Sequence, residues 1–332
     1  FSSRRRHTRY PLVTGVQTCA LPISTGERRI EGIFFREDYR RAYYNEIGRI
    51  TEARNPTETY ATAFVKALRA ETFTSEPTFQ VVVDYNHASS SLVLPGILRR
   101  LGIRTVELNA NIESVPVPAQ SAPVATDADL MRLAQVTQVL DAKLGVRIEA
   151  NGERIAMVDG KGRPLAPMLV LAVLVDLVLA AEGGGVVAVP MHAPRILEMI
   201  AARRGGAVIR TRGALSALMQ MAAKRRDLLL LGDGDGVCIF PRFHPVADGM
   251  YTAVKTVELL LGQRIQLSDA VDSIPVFHTT QVRVACGWES KGRVMRQIGE
   301  RFQERRQQTI DGLRIDGDDY WVLVDRKSTR LN

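Results

Sequence analysis

From residue 79 onward, short apolar runs alternate with segments whose apolar positions recur at helical spacing, and Gly, Asn or Ser marks the joins. Residues 79–83 (FQVVV) are a continuous, β-branched apolar run and predict a strand. Ser89, Ser90 and Ser91 follow as capping hydroxyls for a helix over 92–101, which Gly102 ends. A strand over 104–108 and a Pro-, Ala- and Ser-rich loop over 109–126 come next. Leu130, Leu133, Ala134, Val136, Leu140 and Leu144 then predict a helix over 127–145, and residues 144–165 read as two apolar strands around a polar turn.

The alternation then restarts. A helix around 168–181 stops at Gly183, Gly184 and Gly185, and is followed by a strand over 186–189, a helix over 194–204, a strand over 208–212 and a helix over 214–223. Strands over 228–231 and 237–240 flank the turn Gly232-Asp233-Gly234-Asp235-Gly236, and a helix over 246–261 closes the unit. Two units with similar element order and little shared sequence predict an internal structural repeat with mixed sheets. A shorter third piece holds a strand over 281–285, a helix over 290–305 and paired strands over 309–315 and 320–324.

Charge and cysteines refine this picture once the ends of the chain are considered. Residues 325–332 (DRKSTRLN) back-translate into a common sequencing adapter and 13–23 (VTGVQTCALPI) into its reverse complement with index primer, and 1–12 look like more of the same. We expect 1–24 and 325–332 to be adapter-derived rather than native, in preference to reading Arg4 to Arg9 as a basic arm or targeting peptide. The formal net charge of +8 then leaves only +2 for the rest, which gives no warrant for a nucleic-acid partner. Cys238 and Cys286 remain after Cys19 is set aside, and two isolated thiols suit a reducing cytoplasm. Residues 168–181 (MLVLAVLVDLVLAA) fall short of the ~20 residues a bilayer span takes and carry Asp176, so they predict a buried helix and no membrane partner.

The segment 144–165 (LGVRIEANGERIAMVDGKGRPL) resembles the metal-binding turn of the α-D-phosphohexomutases, the family of phosphomannomutase and phosphoglucomutase. Where that family has Asp-Gly-Asp-x-Asp-Arg between its strands, this chain has Glu149-Ala150-Asn151-Gly152-Glu153-Arg154. Residues 81–110 are similar to the opening of the family's second domain, 240–260 to the segment after its third-domain sugar loop, and 308–324 to the run into its fourth-domain phosphate loop. Residues 34–50 and 286–302 resemble the mutase-type module fused behind a sugar nucleotidyltransferase in proteins described as mannose-1-phosphate guanylyltransferases, which would place such a domain upstream.

The resemblance implies an α/β fold, with tandem three-layer α/β/α domains and a partial α+β C-terminal domain. It implies the end of domain I and a linker over 25–56, domain II over 57–165, domain III over 166–265 and a truncated domain IV over 275–324. It also implies Mg²⁺ as cofactor and a hexose phosphate of mannose or glucose as ligand. Glu149, Asn151 and Glu153 stand at the metal-ligand positions, on alternate residues expected to aim to one side. Glu is one methylene longer than Asp and Asn151 removes a charge, so the octahedral cage Mg²⁺ demands is expected to be weakened or lost. Arg154, Asp233, Asp235 and Lys291 are the substrate-binding candidates, with Arg154 expected to pair with Glu149 or Glu153 and Lys291 to face a phosphate from the start of the last helix. Asp233 and Asp235 lie where the family's sugar loop has Gly-Glu-Met-Ser-Gly-His, in what otherwise reads as a flexible β-turn. Arg203-Arg204 read as solvated helix ends.

The family's phosphoserine motif, Thr-Ala-Ser-His-Asn-Pro, does not occur here, and no residue is assigned as catalytic. The expectation is a fragment of a phosphomannomutase/phosphoglucomutase-like protein, itself inactive. The alternative is a non-catalytic sugar-phosphate-binding or assembly module of a mannose-1-phosphate guanylyltransferase.

Overall fold

The computed structural model describes residues 25–39, 41, 43–45, 55–74, 79–112, 127–318 and 320–325. Segments 1–24 and 326–332, read above as adapter-derived, lie outside the described residues, as do 113–126 of the expected loop. Helices α1 (Thr25–Arg36) and α2 (Pro56–Lys66) stand on the N-terminal side. Pro56 opens α2 at a position whose N–H has no helical acceptor, and Phe64 anchors the helix with its ring fully buried.

The first unit runs β1 (Gln80–Asp84), a 3-10 turn (Ser89–Leu92), α3 (Leu94–Arg100), β2 (Arg104–Leu108), α4 (Asp127–Val139), β3 (Leu144–Ile148) and β4 (Ile155–Asp159). Its sheet has the order β2-β1-β3-β4, with β4 antiparallel to three parallel neighbours. The second unit runs α5 (Pro167–Glu182), β5 (Gly185–Pro190), α6 (Ile196–Arg203), β6 (Gly206–Thr211), α7 (Leu215–Lys224), β7 (Leu228–Gly232), β8 (Cys238–Ile239), α8 (Gly249–Gln263) and α9 (Leu267–Asp272). Its order, β6-β5-β7-β8, repeats the first sheet down to the antiparallel fourth strand. The third piece is α10 (Trp288–Arg301) with an antiparallel sheet of β9 (Arg306–Gln308), β10 (Leu313–Asp316) and β11 (Trp321–Val324).

Period-two alternation sorts the strand residues into layers. Val81 and Val83 of β1 and Val187 and Val189 of β5 enter one large core shared by both units, with α5 and α8 filling its middle. Val82 faces the other way, onto Leu133 and Ala134 of α4, and Ala188 onto Leu215 and Leu218 of α7. Each sheet is therefore covered on both faces, which explains why its strands read as unbroken apolar runs. Helix α5 has Val170 to Leu179 buried, as expected of a core helix, and among the described residues no helix is long and apolar enough to cross a membrane.

Several elements depart from the pattern-based expectation. Helix α4 stops at Val139, not at 145, because the chain turns at Asp141, with φ +49°, and Leu144 becomes the first residue of β3. Ser89 to Ser91 do not cap a helix: they form their own 3-10 turn, in which the Ser91 hydroxyl donates back to the Ala88 carbonyl. The alternating segment 281–285 forms no strand, and Val282 and Val284 are exposed.

Candidate functional site

The carboxyl ends of parallel strands are where open α/β sheets present loops to ligands, above all where successive connections leave in opposite directions. In the first sheet that point lies between β1 and β3, and its residues form a buried charged cluster. Asp84 of β1 is in register with Arg147 of β3, and the Arg147 Nη1 donates to the Asp84 carboxylate at 2.6 Å. The Arg147 Nη2 donates to the Asn86 Oδ1 at 2.7 Å and lies 3.6 Å from the Asp129 carboxylate. The other Asp84 oxygen accepts from the Asn86 backbone N–H and from the Asn109 side-chain amide. Asn86, His87 and Asn109 all sit in the left-handed region, at φ +50°, +56° and +50°, a backbone cost that concentrates at sites where function over-determines it.

Glu149 follows the last residue of β3 and is buried beside this cluster, its Oε1 3.9 Å from the Arg147 Nε. That Nε is itself buried and has no hydrogen-bond acceptor. Asn151 and Glu153 go the other way. The Asn151 amide donates to the Glu153 carboxylate at 2.8 Å, and the Asn151 Oδ1 accepts from the Glu153 N–H, so the two close a small turn on the outside of the loop. The expectation that Glu149, Asn151 and Glu153 aim to one side is thus not met, since Gly152, at φ +74°, turns the backbone between them. As placed they do not fit an octahedral Mg²⁺ cage: Asn151 offers an N–H to Glu153, and Glu149 faces a guanidinium. Among the described residues no three His, Cys, Asp or Glu side chains converge as a metal-binding group.

Arg154 corrects a second expectation. It pairs with neither Glu149 nor Glu153. It reaches across to the second unit, where its Nη1 donates to the Asp233 carboxylate at 2.9 Å, to the Asp235 carbonyl at 2.5 Å and to the Asp235 carboxylate at 3.1 Å. Its Nε and Nη2 donate to nothing among the described residues. The Asp233 turn is tied, not flexible: the Asp233 Oδ1 accepts from the N–H groups of Asp235 and Val237, and its carbonyl meets the His192 Nε2 at 3.1 Å. Main chain joins the two turns as well, with Ile155 N–H donating to the Gly236 carbonyl and Gly249 N–H, at the start of α8, to the Gly152 carbonyl. Asp248 caps α8 by accepting from Tyr251 N–H. Burial holds its carboxyl above the usual range despite the Tyr60 hydroxyl, which donates to it at 2.6 Å.

Lys291 is not seen at these turns. It lies on α10, with its ammonium 5.4 Å from the ring centroid of Trp288 on the same helix, a local cation–π contact. Arg203 and Arg204, expected to be solvated, both donate to the buried Asp176 of α5. Burial pushes the Asp176 carboxyl up, and the two guanidinium groups together hold it below its ordinary value. The residues of this cluster, Asp84, Asn86, Asp129 and Arg147, are not anticipated from the sequence. The available signal was an arginine inside an otherwise apolar strand, Leu144-Gly-Val-Arg-Ile148, with an aspartate at the matching place in β1.

Two sheets of one topology, set around a shared core with polar turns meeting at their strand ends, define a tandem α/β/α protein. Residues 58–162 match the model of phosphoglucomutase/phosphomannomutase α/β/α domain II, and residues 168–277 match that of domain III. The chain is 28% identical over 305 residues to a phosphoglucomutase/phosphomannomutase of Thermococcus kodakarensis, covering 91% of this chain and 66% of that protein. It is 29% identical over 301 residues to a probable phosphoglucosamine mutase of Methanopyrus kandleri, covering 90% and 65%. Of solved structures, it resembles a phosphoglucomutase/phosphomannomutase family protein of Burkholderia thailandensis with TM-score 0.73 at 20% identity (91% of this chain, 63% of that one). It also resembles a putative phosphomannomutase of Thermus thermophilus with TM-score 0.66 at 16% identity (85% and 62%). Through these two consecutive domains the chain belongs to the phosphoglucomutase/phosphomannomutase family. It spans about two thirds of the length of the curated relatives it matches.

Proposed function

We propose that this chain is the sugar-phosphate-holding part of a phosphohexomutase relative, and that its joined turns at Arg154 bind a hexose phosphate without interconverting the 1- and 6-phosphates. The observation that carries this reading is the Arg154 clasp. One nitrogen of the guanidinium locks the two turns together through Asp233 and Asp235, and the side chain is partly exposed, with no hydrogen bond from its Nε and Nη2 edge to the described residues. A guanidinium edge presents two parallel donors that match a phosphate. The relatives' names point to hexose and hexosamine phosphates as the class of ligand.

The absence of turnover follows from the other half of the site. Phosphoryl transfer needs a cation to neutralise the moving group, and the Asn151–Glu153 and Glu149–Arg147 contacts engage the residues that would have to hold it. The chain is purified and titrated calorimetrically with glucose 1-phosphate, mannose 1-phosphate and glucosamine 1-phosphate, then incubated with each plus Mg²⁺ and a hexose 1,6-bisphosphate while ³¹P NMR follows the 6-phosphate signal. Saturable binding to at least one sugar, weakened about tenfold or more by Arg154→Ala, is expected together with no 6-phosphate, since a charge-assisted hydrogen bond contributes roughly 1.5–3 kcal/mol. Turnover would refute the reading, and so would sugar phosphate binding indifferent to Arg154. A second reading, an assembly module beside a sugar nucleotidyltransferase, draws support from α10, which has no buried residue and displays Trp288 at 70% exposure.

A further inference from the structure

Arg147 enters the proposed function only through its approach to Glu149, yet it is among the least exposed charges of the described residues. Its side chain is 8% exposed, and three carboxylates surround it, Asp84 at 2.6 Å, Asp129 at 3.6 Å and Glu149 at 3.9 Å. One positive charge among three negative ones, two of them buried and Asp129 partly exposed, is the electrostatic situation in which a protein otherwise places a divalent ion. The shell around it is completed by neutral amides. Asn86 accepts from the guanidinium and Asn109 donates to Asp84, and both are held in left-handed backbone to do so. One guanidinium nitrogen, Nε, is buried with no acceptor and lies nearest to Glu149, the first residue of the turn that would carry a metal.

We propose that Arg147 is a resident cation standing in for a divalent ion at the carboxyl end of β3, so that its guanidinium fills the space between Asp84, Asp129 and Glu149, offsets part of their charge and keeps a metal out. Arg147 acts through Glu149 and Asp84 and is a positioning residue. It holds the ends of β1 and β3, and with them the base of the Glu149–Arg154 turn, in the arrangement an ion would otherwise impose. The inference deepens the proposed sugar-phosphate reading, but the metal arm of its test uses no sugar phosphate, so either can fail alone.

The full chain is titrated with Mn²⁺ and free ion is read by electron paramagnetic resonance, for the wild type, Arg147→Lys, Arg147→Gln and the double variant Arg147→Gln, Glu149→Gln. Wild type and Arg147→Lys are expected to leave Mn²⁺ free. Arg147→Gln is expected to bind one Mn²⁺ at least about tenfold more tightly, a change of about 1.4 kcal/mol, and the added Glu149→Gln to abolish the gain. A merely structural ion pair predicts that Arg147→Gln loses stability and gains no Mn²⁺, and that result overturns the proposal. If Arg147→Gln does not fold, the wild type decides. Bound Mn²⁺ that Glu149→Gln removes overturns the proposal, whereas no bound Mn²⁺ and a melting temperature unmoved by millimolar Mn²⁺ support it.

Discussion

The first and second units share a strand order, an antiparallel fourth strand and a helix-covered outer face, yet they treat charge at the strand ends in opposite ways. In the first, the cluster is closed: Asp84 and Arg147 are register partners and both are buried. In the second, Asp233 and Asp235 extend from the end of β7 on a turn whose guanidinium partner, Arg154, comes from the first unit. One topology therefore serves as a self-contained base in one unit and as a surface neutralised from outside in the other. The molecule's polar turns are held together by that contact and by main-chain contacts at Gly236 and Gly249.

Breaking the closed cluster is the most damaging change this contrast predicts. Arg147→Ala leaves buried carboxylates without their cation and is expected to cost about 3–5 kcal/mol in denaturant unfolding. The matching cut in the second unit, Asp235→Ala, removes a half-exposed partner and should cost under about 1 kcal/mol. If the two costs are equal, the contrast between the units is wrong.

The seam between them ranks in the middle. Gly236 has φ +96°, and a methyl group there would come 2.7 Å from the Ile155 carbonyl, so Gly236→Ala is expected to cost about 2–3 kcal/mol and to weaken sugar phosphate binding with it. Unchanged binding in a destabilised variant would show that the seam supports the fold alone.

The smallest effect sharpens the contrast by pH. Asp176 in α5 is a buried carboxylate whose partners, Arg203 and Arg204 of the same unit, are partly exposed, and its carboxyl lies below its ordinary value in the folded state. A folded-state value lower than the unfolded one means that the contribution is complete above the unfolded value and disappears as pH falls through the folded one. Wild-type stability should therefore decline as pH drops below about 4, the unfolded value for Asp, and Asp176→Asn should show a shallower decline in urea midpoints. Parallel pH curves would remove Asp176 from the account.

The layered core was legible because each central strand is enclosed on both sides, and Val81 to Val83 and Leu228 to Leu231 announce that directly. Local spacing misled wherever tertiary context decided the outcome. Leu140 and Leu144 continue the helical period of α4, but only Leu144 is buried, and it is buried as part of a sheet. Gln281 to Ala285 alternate like a strand, yet alternation does not supply a neighbour to pair with. In the site, a polar turn between two strands at Glu149 to Arg154 could be read, but not which carboxylates Arg154 would choose, because Asp233 lies 79 residues away along the chain. Arg147 escaped notice for the same reason: its meaning comes from Asp84, 63 residues earlier.

The attachment of the C-terminal piece has a consequence of its own. Arg314, 2% exposed and resting on Trp321, donates to the carbonyls of Met191 and Ala193, and Arg210 donates to those of Pro190 and Ala193. Both arginines grasp peptide oxygens, which every amino acid carries. The stretch from Pro190 to Pro194 can therefore exchange its side chains during divergence without loosening the joint, provided its backbone path is kept. Drift in that loop would then be a poor guide to whether the joint survives, and the retention of two arginines elsewhere would be the better one.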